Sequence, residues 1–277
     1  MLFRSLESRR EAETLLIEGG AVVGVGHHAR SGGDSRVDLA PLVFGNAAPH
    51  ALVEMLPRDQ RAAFLAPYAS RRPSISLWTI ALGLKRPARE FGVRRYSTFI
   101  IPDWMQSLAQ MREAAATMGG PPGERMPPYI FVDYRQIDSG LNENGPSLVS
   151  FCGIDRLENW ALLGAESKKA RKEKWIDCMI ADIDRQFPGI AGVVAHREMS
   201  TAETMQRYLN TPGGAVYGFA PEGTLGQTVM QGPRTAISGL WLASAYAGTG
   251  GGFTGAMIGG AQAARQAMLA SKARAKP

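Results

Sequence analysis

Apolar and polar positions along the first part of the chain predict short strands. The mainly apolar run Leu15–Val25 is interrupted by Gly19 and Gly20, which is typical of two strands joined by a tight glycine turn. The polar stretch before it, Met1–Glu13, is expected to be the end of a helix. A second apolar run, Leu39–Phe44, predicts a buried strand. A hairpin and one further strand are therefore expected after this helix end.

The middle of the chain predicts an antiparallel sheet. Four segments are rich in strand-forming residues, alternate weakly between apolar and polar positions, and are separated by loops. These segments are Ser74–Leu84, Thr98–Ile101, Tyr129–Tyr134 and Ser147–Ile154. Another strand is predicted at Ile190–His196. Together with the helices described next, these strands indicate a mixed α and β fold.

Helical spacing of apolar residues is clearest over Trp160–Phe187. The apolar residues that share one face of this predicted helix are Trp175, Ile176, Met179, Ile180 and Ile183. The opposite face carries the basic run Lys168–Lys174, which is either solvated or in contact with anionic lipid. Two shorter helices, His50–Leu56 and Asp59–Tyr68, are predicted after Pro49, because proline favours the first position of a helix.

The uncharged segment Thr235–Ala264 is the most informative part of the chain. It predicts a buried strand at Gly239–Tyr246 and a helix from Ala256 to Leu269. Between them, Gly250–Gly255 matches the pattern G-x-G-x-x-G. A strand, a glycine turn and a helix can direct backbone N–H groups at an anionic or electron-rich ligand. The alternative is a tight turn whose glycines serve packing alone.

Neither glycine motif of the chain forms a complete dinucleotide-binding unit. Such a unit needs an acidic residue about 20 positions after the glycines, and Ser271–Pro277 contains none. A second match, Gly24–Ala29, is followed by Arg30–Asp34, which is not a helical sequence, so we do not expect it to bind pyrophosphate. Gly255 and Gly259 form a G-x-x-x-G pattern, which predicts close helix packing.

Composition and charge exclude several classes of protein. The chain has 277 residues, of which 45% are hydrophobic and 20% charged, as in an ordinary globular protein. Its two cysteines, Cys152 and Cys178, cannot form a disulfide framework, which favours a reducing, cytoplasmic compartment. The four histidines show no zinc-binding spacing, so we expect no metal.

The net charge of +6 does not by itself identify a partner. The sequence has no helix-turn-helix or zinc-finger pattern, and aromatic residues do not interleave with basic ones, so no nucleic-acid binding is expected. The segment Thr235–Ala264 is long enough to cross a bilayer. However, its glycines would break a single helix, so we do not expect it to span a membrane.

Three segments together resemble the phytoene desaturase-like flavoproteins, a group that includes carotenoid desaturases, carotenoid cis–trans isomerases and retinol saturases. Val43–Pro49 resembles their strand followed by Asn-Ala-x-Pro. Met205–Leu209 leading into Gly214–Gly218 is similar to their late tyrosine–glycine loop. Gly239–Gly255, with Ala263 and Ala264, resembles their C-terminal flavin-contacting signature, which is the most specific part of the match.

The resemblance implies FAD as the cofactor, with the C-terminal glycine turn lying against the flavin ring. The cofactor-binding candidates that it implies are Gly250, Gly251, Gly252, Phe253, Thr254, Gly255, Asn46, Ala47 and Pro49. Tyr217 either lines a substrate pocket or simply packs. No catalytic side chain is implied, because the flavin carries the hydride chemistry and the protein positions the substrate.

Two features depart from the family pattern. Many relatives carry Gly-Asp where this chain has Ser244 and Ala245, so one polar contact to FAD is absent. The N-terminal Rossmann βαβ unit is also absent, so the chain resembles the C-terminal part of a longer enzyme. The expected fold is α+β: an antiparallel-sheet substrate domain (61–200) between part of an FAD-binding domain (1–60) and its C-terminal flavin-contacting remainder (201–277).

The resemblance implies an oxidoreductase that desaturates, saturates or isomerises carbon–carbon bonds of an apolar, polyene or terpenoid-like substrate. We expect the sheet and the apolar helix face to enclose a hydrophobic tunnel for it. The implied partners are a separate N-terminal FAD-binding half and, through the basic helix face, the surface of the inner membrane. Two alternatives remain open: a non-catalytic remnant or binding module without flavin, and an FAD-dependent amine oxidase relative.

Overall fold

The computed structural model describes residues 5–122, 125–138, 140, 147–221, 232–247 and 251–274. The strands in this part of the chain are β1 (Arg10–Glu18), β2 (Ala21–Ala29), β3 (Ser35–Leu39), β4 (Val43–Gly45), β5 (Ser76–Leu84), β6 (Ser97–Ile100), β7 (Tyr129–Asp133), β8 (Ser147–Asp155), β9 (Val194–Ser200) and β10 (Leu240–Leu242). The α-helices are α1 (Pro49–Leu52), α2 (Arg58–Leu65), α3 (Met111–Thr117), α4 (Ala165–Gln186), α5 (Ala202–Leu209) and α6 (Gly252–Arg274). The fold is mixed α+β.

The chain divides into two compact units. Unit 1 combines Met1–Ser74 with Leu209–Pro277, and unit 2 is Ile75–Tyr208. From the family resemblance, the sequence suggested domain boundaries at residues 60 and 200. These boundaries stay a prediction.

Unit 1 begins with a three-stranded antiparallel meander in the order β1-β2-β3. The predicted hairpin is confirmed, because Gly19 and Gly20 both adopt positive φ, at +56° and +76°, and close the turn between β1 and β2. The expected helix end over Met1–Glu13 is wrong from Arg10 onward. That residue pairs with Ala29 of β2, so the ladder of hydrogen bonds overrides the polar sequence.

A pair of short parallel strands, β4 and β10, forms the second sheet of unit 1. Leu240, Trp241 and Leu242 of β10 are all buried, whereas the strand predicted there was longer. The strand predicted at Leu39–Phe44 is divided between the end of β3 and the start of β4. Leu39 is exposed, because it lies at the end of the outer strand of the meander.

Unit 2 is built on a five-stranded antiparallel sheet in the order β6-β7-β8-β5-β9. This confirms the predicted sheet, and strict alternation of buried and half-buried residues along β5 shows that one face is the core. The long predicted helix is α4, which begins at Ala165 rather than Trp160. Trp160 lies in the core before the helix, where its indole N–H donates to Asp155 Oδ2 at 2.8 Å.

The apolar face of α4 packs directly against the sheet. Trp175, Met179 and Ile183 of the helix join Trp78 and Phe151 of the sheet in one buried cluster. The space between helix and sheet is therefore filled by side chains, and the hydrophobic tunnel expected there is replaced by a packed core. Of the described helices, none has both the length and the hydropathy needed to cross a membrane.

Candidate functional site

The two parallel strands of unit 1 bring distant parts of the sequence to one edge. Because β4 and β10 run in the same direction, the segments that follow them leave the same end of the pair. The Ala243 N–H donates to the Gly45 carbonyl at 2.9 Å, and Ser244 Oγ donates to the Ala47 carbonyl at 3.3 Å. Ligands of parallel sheets bind at this carboxyl edge.

The candidates after β4 differ in exposure. Asn46 is exposed, Ala47 is half-buried and Pro49 is buried. Pro49 takes the first position of α1, as the sequence predicted, but α1 has only four residues. Asn46 and Ala47 are therefore the positions on this segment that a ligand can reach.

Helix α6 follows β10 and packs on it through small residues. Its buried positions recur every fourth residue: Gly255, Gly259, Ala263 and Ala267. A Cβ atom on Gly259 would lie 2.7 Å from the Ser244 carbonyl oxygen, so a larger residue would displace the helix. The close packing predicted from the G-x-x-x-G pattern is confirmed.

The glycine turn before α6 lies against Tyr217. Gly250 falls outside the described residues. A Cβ on Gly251 would lie 2.1 Å from Tyr217 Cβ, and one on Gly252, which has φ +73°, would lie 3.5 Å from the tyrosine ring. Phe253 and Thr254 in the first turn of α6 are exposed. The structure thus brings Tyr217 to the same helix end as the predicted glycines.

The loop Gly214–Gly218, called the Tyr217 loop below, is held within unit 1 by contacts of its own backbone. The Tyr217 N–H donates to Ser74 Oγ at 2.9 Å. Gly218 has φ +73°, and a Cβ on it would lie 2.3 Å from the Ala245 carbonyl oxygen. The loop after β10 and the Tyr217 loop therefore touch through backbone atoms, which only glycine allows.

An aromatic cluster beneath this edge was not predicted from the sequence. Phe219 lies at its centre: Tyr68 stacks on it with ring centroids 5.9 Å apart, and Tyr246 meets it edge-on at 4.9 Å. His50 also contacts it edge-on, at 6.3 Å. The four rings come from four separate segments, so no local spacing could have indicated them.

Three polar atoms of this cluster are buried without hydrogen-bond partners among the described residues: His50 Nδ1, Tyr68 Oη and Tyr246 Oη. Burial raises the pKa values of Tyr68 and Tyr246 to about 12 and lowers the pKa of His50. All three side chains are therefore uncharged at neutral pH. The cluster is a neutral, mainly apolar wall at the carboxyl edge.

Replacing Tyr68 with phenylalanine should stabilise the protein slightly at pH 7, by about 1 kcal/mol, because the lost hydroxyl has no described partner. The free energy of unfolding of this variant should also fall less than that of the wild type at alkaline pH. The folded state keeps this phenol proton up to about pH 12, whereas the unfolded chain releases it near pH 10. The free energy of unfolding therefore falls as the pH rises from about 10 towards 12.

Urea unfolding at pH 7 and pH 11 measures both effects of Tyr68→Phe. The control is Tyr208→Phe, which changes an exposed tyrosine. A Tyr68→Phe protein that is clearly less stable than the wild type at pH 7 would contradict the prediction, since it would reveal a partner for the hydroxyl.

The described residues contain no group of three or more His, Cys, Asp or Glu side chains placed to hold a metal ion. They do contain the long helix α6, which starts at the carboxyl edge with exposed residues. The first N–H groups of a helix lack partners within it, and the helix end carries partial positive charge. This end of α6 can therefore accept an electron-rich group.

Comparison with known proteins finds solved structures with a similar fold. No protein-family model and no curated protein matches the sequence. An oxidoreductase from Methanosarcina mazei has a similar structure, with a TM-score of 0.51 and 18% identity over 94% of this chain and 49% of that protein. Cyclohexylamine oxidase from Brevibacterium oxydans gives a TM-score of 0.47 and 15% identity over 90% of this chain and 45% of its own. The chain shares the fold of the M. mazei oxidoreductase and spans about half the length of these proteins.

Proposed function

We propose that this chain forms the flavin-facing and substrate-binding part of an FAD-dependent oxidoreductase. The observation that carries the proposal is the meeting of three elements at the carboxyl edge of β4 and β10. These are the segment after β4 with Asn46 and Ala47, the turn at Ser244 that bonds to it, and the start of α6, which the Tyr217 loop connects to Ala245. The fold that this chain shares with an oxidoreductase also supports the proposal.

The residues at this edge suit an electron-rich planar ring. The exposed first turn of α6 would offer N–H groups and partial positive charge, and Gly252 leaves room for close approach. The buried Ser244 hydroxyl bonds to the Ala47 carbonyl and would hold the two loops of this edge in place. When bound, FAD supplies hydride transfer. The residues of this chain would orient the ring and exclude water from one side of it.

We further propose an apolar polyene or terpenoid-like substrate, with reaction at its carbon–carbon bonds. The support comes from the sheet face of unit 2 turned away from α4. On this face, one row of register partners crosses four strands and alternates with the core positions. Its members are Phe99, Ile130, Cys152 and Thr79. Phe99 is 51% exposed. An apolar strip of this kind favours an apolar substrate over a charged one.

A separate FAD-binding half is the partner that we propose for unit 1. The residues of helix α6 whose burial the structure describes as complete are all small, while its large apolar residues face outward: Phe253 is 92% exposed and Met257 is 68% exposed. Large exposed apolar faces mark interaction sites. A pair of parallel strands also rarely stands alone, because parallel sheets are normally extended and covered by further strand–helix units.

FAD retention after desalting, measured by flavin absorbance, tests the proposal with the chain alone and with an N-terminal half encoded nearby. The wild type should retain FAD in at least one of these arrangements. Gly252→Leu should weaken FAD binding about 100-fold or more, because it blocks close approach and strains a backbone with φ +73°.

Gly260→Leu is the matched control, since a Cβ at Gly260 meets nothing within 4 Å on the same helix. Equal FAD retention by wild type and Gly252→Leu would remove the glycine turn from the site. A wild-type protein that stays colourless in both arrangements would instead support the binding-module alternative.

A further inference from the structure

Unit 2 contains a pocket that none of the elements proposed to contact flavin lines. Its volume is about 320 Å³. The lining residues are Pro121, Pro122, Ala170, Arg171, Lys174 and Trp175. One wall is therefore a pair of prolines, and the other is the first half of α4.

Two cations line this pocket without carboxylate partners among the described residues. Arg171 and Lys174 are three positions apart on α4, so their side chains project from the same side of the helix. The Arg171 guanidinium donates to the Asn159 carbonyl, which leaves its positive charge uncompensated. By contrast, Lys168 on the same helix pairs with Glu203 at 2.6 Å.

Trp175 adds a rigid aromatic wall to the pocket. The residue is only 1% exposed, and its indole Nε1 has no acceptor among the described residues. The ring is fixed by stacking on Trp160 at 5.8 Å and by a tilted contact with Trp78 at 5.6 Å. The indole nitrogen is shielded from solvent, so the ring shapes the pocket and we assign it no hydrogen bond to a ligand.

We propose that this pocket binds the phosphate group of an organic phosphate ester. A phosphate presents several acceptor oxygens and up to two negative charges, which matches the two cations that line the pocket. The guanidinium of Arg171 can bind two oxygens in parallel, and the ammonium of Lys174 acts as a point charge. The apolar prolines leave space for the organic part. Soluble phosphate esters and phospholipid headgroups share this chemistry.

Two probes distinguish these sources. Glycerol 3-phosphate is titrated into the full chain by calorimetry, with tryptophan fluorescence as the second readout. Vesicles of phosphatidylcholine with and without phosphatidic acid are tested by co-sedimentation. Binding of at least one phosphate probe is expected, and Arg171→Gln or Lys174→Gln should weaken it about tenfold or more, as for loss of a charged hydrogen bond.

Lys169→Gln is the matched control, because Lys169 is an exposed lysine of the same helix that does not line the pocket. Lys174 is exposed and has no hydrogen bond or ion pair among the described residues, so Lys174→Gln keeps the test valid if Arg171→Gln fails to fold. Binding of glycerol 3-phosphate with the expected variant pattern supports the site for soluble esters, and the same pattern with phosphatidic acid alone supports it for lipid. Equal weakening by all three variants, or no binding of either probe, would overturn the proposal.

Discussion

Replacing Asp155 with alanine should lower the free energy of unfolding by about 3 kcal/mol. The carboxylate is 1% exposed and accepts four hydrogen bonds, from Trp160 Nε1, Asn159 Nδ2 and the N–H groups of Arg156 and Ala202, at 2.7–2.8 Å. Trp160 and Ala202 are themselves fully buried. Their donors would lose their acceptor without gaining water, at about 1–3 kcal/mol each.

Urea unfolding followed by tryptophan fluorescence measures the effect of Asp155→Ala. Glu158→Ala is the control, because it removes an exposed carboxylate from the same segment. The stability of Asp155→Asn should lie between those of the two alanine variants. The asparagine keeps one acceptor oxygen, but its amide NH2 faces donors that the second carboxylate oxygen accepted from. Equal stability of Asp155→Ala and Glu158→Ala would show that the four donors find other acceptors.

The parts of the fold that the sequence predicted depend on local patterns. The hairpin followed from Gly19 and Gly20, whose positive φ angles leave little choice of residue. The sheet of unit 2 followed from alternation along β5 and β8, and the buried face of α4 from the spacing of Trp175, Met179 and Ile183. In each case the residues that determine the element lie within it.

The parts that could not be predicted depend on contacts between distant segments. β4 and β10 are three residues long, and their pairing defines the carboxyl edge at which the candidate site lies. The aromatic rings around Phe219 likewise meet only after folding. The same cause explains the errors: Arg10 is drawn into a strand by its pairing with Ala29, and the expected tunnel is filled by side chains that the helix and the sheet both contribute.

Gly218→Ala should be the most damaging single change in the Tyr217 loop, with a loss of about 3 kcal/mol or more in the free energy of unfolding. Two costs combine. A positive φ of +73° costs an L residue about 1–2 kcal/mol. The new methyl group would also lie 2.3 Å from the Ala245 carbonyl oxygen, which is backbone and cannot rotate away.

Gly213→Ala separates these two costs. Gly213 has φ +63°, but a Cβ there meets nothing within 4 Å, so its replacement adds backbone strain without a collision. If the close approach of Gly218 to Ala245 holds the loop in place, Gly218→Ala should be less stable than Gly213→Ala in urea, and should also lose any FAD retention. Since Tyr217 lies against Gly251, displacing this loop would displace one wall of the candidate site. Equal stability of the two variants would mean that the loop is not held by this contact, and that Tyr217 reaches the glycine turn by packing alone.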